Sequence, residues 1–195
     1  MARFIVVEGM DGAGTTTQTK LLAAKAMRMG LKVLTSREPT NSVIGLEIRK
    51  YLAMPLEGES NLLTMLALGF AADRMHHVHH VLVPALKEHD LVIVDRYVLS
   101  SLVYQGLHLP TRFVREINQY ALKPDVTLVL DIDAHQAYQR LSQRSGAKDF
   151  YETLNNLEKI RDRYRHFAHE PATILLDASG TVEQVHAHIV NVLGL

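Results

Sequence analysis

The chain has no cysteine among its 195 residues. That excludes disulfides, thiolate metal sites and a cysteine nucleophile, and it suits a reducing compartment. The chain also has no net charge, because its 21 basic and 21 acidic residues cancel and its isoelectric point is near neutral. No global field therefore recruits nucleic acid or an anionic membrane, and neither is an expected partner. No window approaches the roughly 18 uninterrupted apolar residues of a membrane helix. The first apolar run, Phe4 to Val7, is too short for a secretory signal, and Glu8-Gly9 interrupts it. These absences predict a soluble, cytoplasmic protein. The length suits one domain over residues 1–195, and no repeat, low-complexity tract or linker divides it.

What the chain does have is a recurrence of short β-rich apolar runs: Phe4 to Val7, Lys32 to Thr35, Leu91 to Val94, Val126 to Leu130 and Thr173 to Leu176. Continuous apolar runs mean strands buried on both faces, as in a parallel sheet covered by helices on each side. The fold class is α/β. Helical spacing predicts helices from Gly14 to Gly30, Ser42 to Leu52, Asn61 to Glu88, Thr111 to Tyr120, Ala134 to Arg144, Thr153 to Ala168 and Val182 to Val192. Pro84 predicts a kink or break within the third of these.

Between the first strand and the first helix lies Gly9-Met10-Asp11-Gly12-Ala13-Gly14-Thr15-Thr16-Thr17. Glycines at such a junction let successive backbone N–H groups converge on a polyphosphate, and the helix amino terminus adds partial positive charge. Thr16 stands where a hydroxyl helps hold Mg²⁺. Thr15, however, stands where the pattern GxxxxGK(S/T) has its lysine. An ordinary glycine-rich turn is the bland alternative for this segment taken alone.

Ligands of open parallel sheets gather at the carboxyl ends of the strands. Those ends read Arg37-Glu38-Pro39, Asp95-Arg96-Tyr97 and Asp131-Ile132-Asp133. An apolar strand that delivers Asp95 beside the loop suits Mg²⁺ held through water, although a strand-terminal aspartate also serves as a helix cap. Arg37 and Arg96, on different strand ends, suit a bidentate grip on a substrate phosphate.

Several separate segments, in order and spacing, resemble the thymidylate kinase family. They are Glu8 to Gly14, Arg37-Glu38-Pro39, Phe70-Ala71-Ala72-Asp73-Arg74, Asp95-Arg96-Tyr97, Ser100 to Gly106 and Lys123 to Asp131. The resemblance implies a three-layer P-loop fold, with a five-stranded parallel sheet flanked by helices and a short lid at about 140–152. It implies phosphoryl transfer from ATP to dTMP with Mg²⁺. Phe70 would stack on thymine, Arg74 would donate to a thymine carbonyl, Ser101 would bond the base edge, and Gln105 would join the pocket. Tyr104 would pack where a ribose 2′-hydroxyl would sit. Asp11 would accept from the sugar 3′-hydroxyl, Arg37 and Arg96 would hold the dTMP phosphate, and Thr16 and Asp95 would serve Mg²⁺.

Arg144 and Lys148, in the segment resembling the family's lid, are the expected cations over ATP and the candidate replacements for the missing lysine. Arg140 belongs to the preceding helix. The family also implies a homodimer through helices. Two rival readings stay open at this point: a kinase for another nucleoside monophosphate, and a nucleotide-binding regulator of the same fold with weak or no turnover. His76, His77, His79 and His80 raise a metal hypothesis, which no nearby cysteine or carboxylate completes.

Overall fold

The computed structural model describes residues 2–54, 60–143 and 151–195. Five strands, β1 (Arg3–Gly9), β2 (Val33–Arg37), β3 (Leu91–Asp95), β4 (Val126–Asp131) and β5 (Thr173–Asp177), form one parallel sheet in the order β2-β3-β1-β4-β5. The side chains alternate between two cores. Ile5, Val7, Leu91 and Ile93 face one of them, and Phe4, Val6, Val92 and Val94 face the other. Helices cover both faces, so nearly every residue of β1 and β3 is buried. Each such aliphatic residue contributes about 1.5–3 kcal/mol of burial, which is why these runs read as continuous apolar stretches.

The helices are α1 (Thr15–Arg28), α2 (Val43–Leu52), α3 (Ser60–His77), α4 (Val83–Glu88), α5 (Val98–Tyr104), α6 (Thr111–Ile117), α7 (Ala134–Ser142), α8 (Leu154–Phe167) and α9 (Val182–Leu193). Side chains cap several amino termini. The Ser42, Asp133 and Thr153 oxygens accept from the Gly45, His135 and Asn156 N–H groups, and Thr181 with Gln184 forms a reciprocal box. Gly30, at φ 86°, takes the left-handed conformation just past α1.

Three differences from the sequence expectation have physical causes. The run from Asn61 to Glu88 breaks not at Pro84 but in a π turn over Val78–Leu82 just before it, between α3 and α4. Proline lacks the N–H that would bond four residues back, so the irregularity falls in the turn that precedes it. Helix α5 was not anticipated; Leu99, Ser101, Leu102, Val103 and Tyr104 are all buried, so it has no polar face to generate a period. The expected helix to Tyr120 stops at Ile117. Arg144 and Lys148 fall within 144–150, outside the described residues.

Candidate active site

Because all five strands run the same way, their carboxyl ends bring Gly9, Arg37, Asp95, Asp131 and Asp177 to one edge of the sheet. Two adjoining cavities open there. The smaller, about 140 Å³, is lined by the loop from Met10 to Thr17 together with Arg37, Glu38, Asp95 and Arg96. Gly12 and Gly14 shape it by taking φ values of 86° and 94°. At Gly12 the requirement is also steric, since a Cβ would lie 2.7 Å from the Ala137 carbonyl oxygen. Helix α7 thus rests directly on the loop, and one turn on from Ala137 Arg140 Nη1 donates to the Gly12 carbonyl at 3.2 Å.

Beside the loop, the Thr16 hydroxyl donates to Asp95 Oδ2 at 2.5 Å. Asp95 Oδ1 is buried and has no partner among the described residues. Asp95 is not a helix cap: the Tyr97 and Ser100 amides at the start of α5 donate to the Glu8 carboxylate instead.

The larger cavity, about 280 Å³, lies against the first. Every residue expected at the acceptor site, Asp11, Arg37, Phe70, Arg74, Arg96, Ser101, Tyr104 and Gln105, lines it. Asp11, Arg37, Glu38 and Arg96 line both cavities.

Arg96, at φ 69°, is held on all sides. Its Nη2 donates to Asp11 Oδ1 at 2.8 Å, and its Nη1 donates to the Gly9 carbonyl at 2.9 Å and the Tyr104 hydroxyl at 3.1 Å. The Tyr104 hydroxyl in turn donates to Asp11 Oδ2 at 2.9 Å. Burial opposes the charge on Arg96, yet the Asp11 carboxylate, backed by Tyr104, Tyr164 and Asp95, holds its pKa well above the ordinary value.

Beneath this group sits Glu8, fully buried in β1. It accepts from the Tyr97 N–H at 2.8 Å, the Ser100 N–H and hydroxyl at 3.1 and 2.6 Å, and the Tyr164 hydroxyl at 3.0 Å. Burial raises its pKa, against the lowering influence of Ser100 and Arg96. A carboxyl whose folded pKa lies above its unfolded value contributes stability below the unfolded pKa, and that contribution is lost as pH rises through the folded pKa. The difference in denaturation midpoint between wild type and Glu8→Gln should therefore shift in the wild type's favour on acidification toward pH 4.5. A difference that stays flat across that range would contradict this ionisation.

Arg74 is 1% exposed. Its Nε donates to Glu38 Oε2 at 2.8 Å, its Nη1 to Ser101 Oγ at 3.2 Å and to Asn118 Oδ1, and its Nη2 to the Tyr97 carbonyl at 3.1 Å. Four of its five N–H groups are thus engaged among the described residues, leaving one on Nη2. Glu38 also pairs with His77 Nδ1 at 3.0 Å, and His77 Nε2 meets Ser36 Oγ at 2.7 Å.

The family model for thymidylate kinase matches residues 7–189. The chain belongs to the thymidylate kinase family. It is 38% identical to a probable thymidylate kinase of Methanocaldococcus jannaschii over 97% of this chain and 95% of the other. It is also 38% identical to one of Pyrobaculum aerophilum, over 97% and 95%, and 34% identical to one of Thermococcus gammatolerans, over 99% and 96%.

Sequence reasoning missed two side chains of this thymidylate kinase-like cleft. Arg49 lines the larger cavity and donates to the Thr40 carbonyl at 2.6 Å and to the Pro39 carbonyl. The signal was Gly45 one turn earlier, where a Cβ would lie 2.2 Å from the Thr40 oxygen, so that face of α2 packs against the chain after Arg37-Glu38-Pro39. Glu8 was legible as an acid ending the apolar run of a central strand. Tyr151, at the end of the segment resembling a lid, also reaches the cavity, its ring 5.1 Å from that of Tyr104. The histidines divide: His77 is buried against Glu38, while the rings of His76 and His80 stack 4.4 Å apart. Among the described residues no group of three or more His, Asp or Glu is placed to hold a metal.

Proposed function

We propose that the protein transfers the γ-phosphoryl group of ATP to dTMP, giving dTDP and ADP. The observation that carries this reading is the junction of the two cavities. A glycine-shaped cradle with Thr16 and Asp95 adjoins a pocket lined by the expected acceptor residues, and Asp11, Arg37 and Arg96 belong to both. Backbone N–H groups from Gly12 to Thr17 bind the ATP phosphates, with Gly9, Met10 and Asp11 completing the loop.

The donor set fits Mg²⁺, which takes one or two protein oxygens and fills its remaining positions with water and substrate phosphate. Thr16 offers a hydroxyl, and Asp95 offers a carboxylate with one buried oxygen unpartnered. When bound, the ion neutralises charge on the phosphates. Arg96 and Arg49 orient the acceptor phosphate, and Arg144 and Lys148 belong to a lid that excludes water.

Base choice follows from complementarity. Gln105 Oε1 is buried with no partner among the described residues, and Arg74, with one N–H left on Nη2, lines the same cavity. An acceptor and a donor together match the N3–H and O4 edge of thymine, with Phe70 supplying a flat aromatic face. Cytosine presents the opposite pattern, an amino donor beside an unprotonated nitrogen, and leaves these buried groups unpaired. With dTMP, dUMP, UMP, dCMP and AMP as acceptors, kcat/KM is expected to be highest for dTMP and lower for dUMP by a methyl's worth, about 10–200-fold. For dCMP it is expected to be about 10⁴-fold lower than for dTMP. Equal use of dCMP and dTMP would overturn this assignment.

The protein acts as a cytoplasmic homodimer in this reading. Among the described residues no helix is long and apolar enough to cross a membrane. Met65, Leu68, Met75 and Val83, spaced along α3 and α4, are 39–48% exposed. They form a stripe opposite the core-facing Leu66, Ala67 and Ala71. A Leu68→Glu/Met75→Glu variant should sediment as a monomer while wild type sediments as a dimer; two dimers would move the interface elsewhere.

A further inference from the structure

The loop of this protein lacks the lysine that would place a mobile charge on the β- and γ-phosphates, and Thr15 has no cation to offer in its place. The lid is one source of a replacement. The junction of the two cavities holds another.

Four side chains line both cavities: Asp11, Arg37, Glu38 and Arg96. Three of them are committed. Asp11 is bound by Arg96 and Tyr104, Glu38 by Arg74 and His77, and Arg96 by Asp11, the Gly9 carbonyl and the Tyr104 hydroxyl. Arg37 is exposed and has no hydrogen-bond or ion-pair partner among the described residues. The last pair of the β2–β3 register sets it directly beside Asp95, whose carboxylate meets Thr16 of the loop.

Acceptor binding has cations to spare. Arg49 and Arg96 both line the acceptor cavity, and Arg49 is fixed by two backbone carbonyls. Arg37 lies close enough for its charge to help depress the pKa of Arg49, second to burial. An anion between these two arginines would relieve that repulsion.

We infer that Arg37 is the catalytic replacement for the missing loop lysine, donating to the γ-phosphoryl group as it passes between the cavities. The inference rests on the kinase reading above. In the step it serves, an oxygen of the acceptor phosphate bonds to the γ-phosphorus while the bond from that phosphorus to the β,γ-bridging oxygen breaks. ADP departs with the electron pair of that bond. Charge on the transferred group spreads over its three equatorial oxygens, and a planar guanidinium with two parallel N–H groups suits two of them. This role differs from simple retention of dTMP, because the contact is to the γ-phosphoryl group, which ATP carries and ADP does not, and it strengthens further as that group is transferred.

The test is a mutant cycle between positions 37 and 15, read by steady-state kinetics and by the affinities of ATP and ADP in equilibrium titration. Arg37→Gln should lower kcat by about 10²–10³, the loss seen when one charge-stabilising donor is removed. It should change KM for dTMP far less, and should narrow the preference for ATP over ADP. Adding Thr15→Lys should restore at least about tenfold of kcat in the Arg37→Gln background, since the two cations substitute for each other. Arg49→Gln should instead raise KM for dTMP and gain nothing from Thr15→Lys.

Arg37 is overturned as the replacement if its loss appears only in KM for dTMP. It is also overturned if Thr15→Lys rescues Arg144→Ala or Lys148→Ala and not Arg37→Gln, which would assign the role to the lid. Because Arg37 is exposed, Arg37→Gln should melt with wild type. Were the lysine variants to misfold, the ATP-to-ADP affinity ratio of Arg37→Gln alone decides: an unchanged ratio overturns the inference. Wild type that phosphorylates no nucleoside monophosphate retires the kinase reading, and that same ratio then still reports whether Arg37 senses the γ-phosphate.

Discussion

Asp95→Asn is expected to lower dTMP turnover by about 10²–10³, as loss of an electrostatic contribution to the transition state does. It should leave the fold nearly untouched. Asparagine has the same shape and keeps an oxygen to accept from Thr16, so the contact at 2.5 Å between loop and strand survives. What disappears is the negative charge, including that on the buried Oδ1, which no described protein group uses. The accompanying sign is a higher Mg²⁺ concentration at half-maximal activity. If kcat and the Mg²⁺ dependence both stayed within about threefold of wild type, Asp95 would be a structural acid and not part of the transfer site.

Arg74→Ala is expected to have the larger effect on stability, about 3–5 kcal/mol, because it breaks a buried ion pair and leaves Glu38 with His77 as its one remaining partner among the described residues. The Glu38 and Arg74 side chains are 3% and 2% exposed, so solvent cannot take over the pairing. Ser101, Asn118 and the Tyr97 carbonyl lose a donor in the same step. For a chain of this size the loss corresponds to a melting point lower by roughly 10 °C. Arg74→Ala/Glu38→Gln should melt above Arg74→Ala, since the second change removes the stranded charge. If Arg74→Ala alone melted within about 2 °C of wild type, the network would not hold the acceptor cavity in shape.

The difference between these residues shows what sequence could convey. Asp95 was legible because an apolar run ended in a carboxylate, a pattern of neighbours in the chain. The same logic found Gly12, Gly14, Thr16 and Arg37, all at ends of local elements. Helical spacing put Phe70 and Arg74 on one face, and both line the cavity. Spacing alone was silent on the partners of Arg74, which are 23 to 44 residues away along the chain. Arg49 escaped because its role depends on the close approach of α2 to the Thr40 carbonyl, a contact made by the absence of a side chain at Gly45. Helix α5 escaped for the opposite reason: burial on all sides erased its period. The family resemblance supplied the roles of Ser101, Tyr104 and Gln105, which neither periodicity nor composition distinguishes from core residues.

This loop, with threonine in place of lysine, is expected to support phosphoryl transfer to dTMP. The direct test is to incubate the purified protein with Mg²⁺, ATP and dTMP and to follow dTDP and ADP together. Both should form in equal amounts, at a turnover well above background, and neither should form without dTMP. Saturable binding of both nucleotides with no dTDP would contradict it, and would mark the protein as a nucleotide-binding regulator built on a kinase fold.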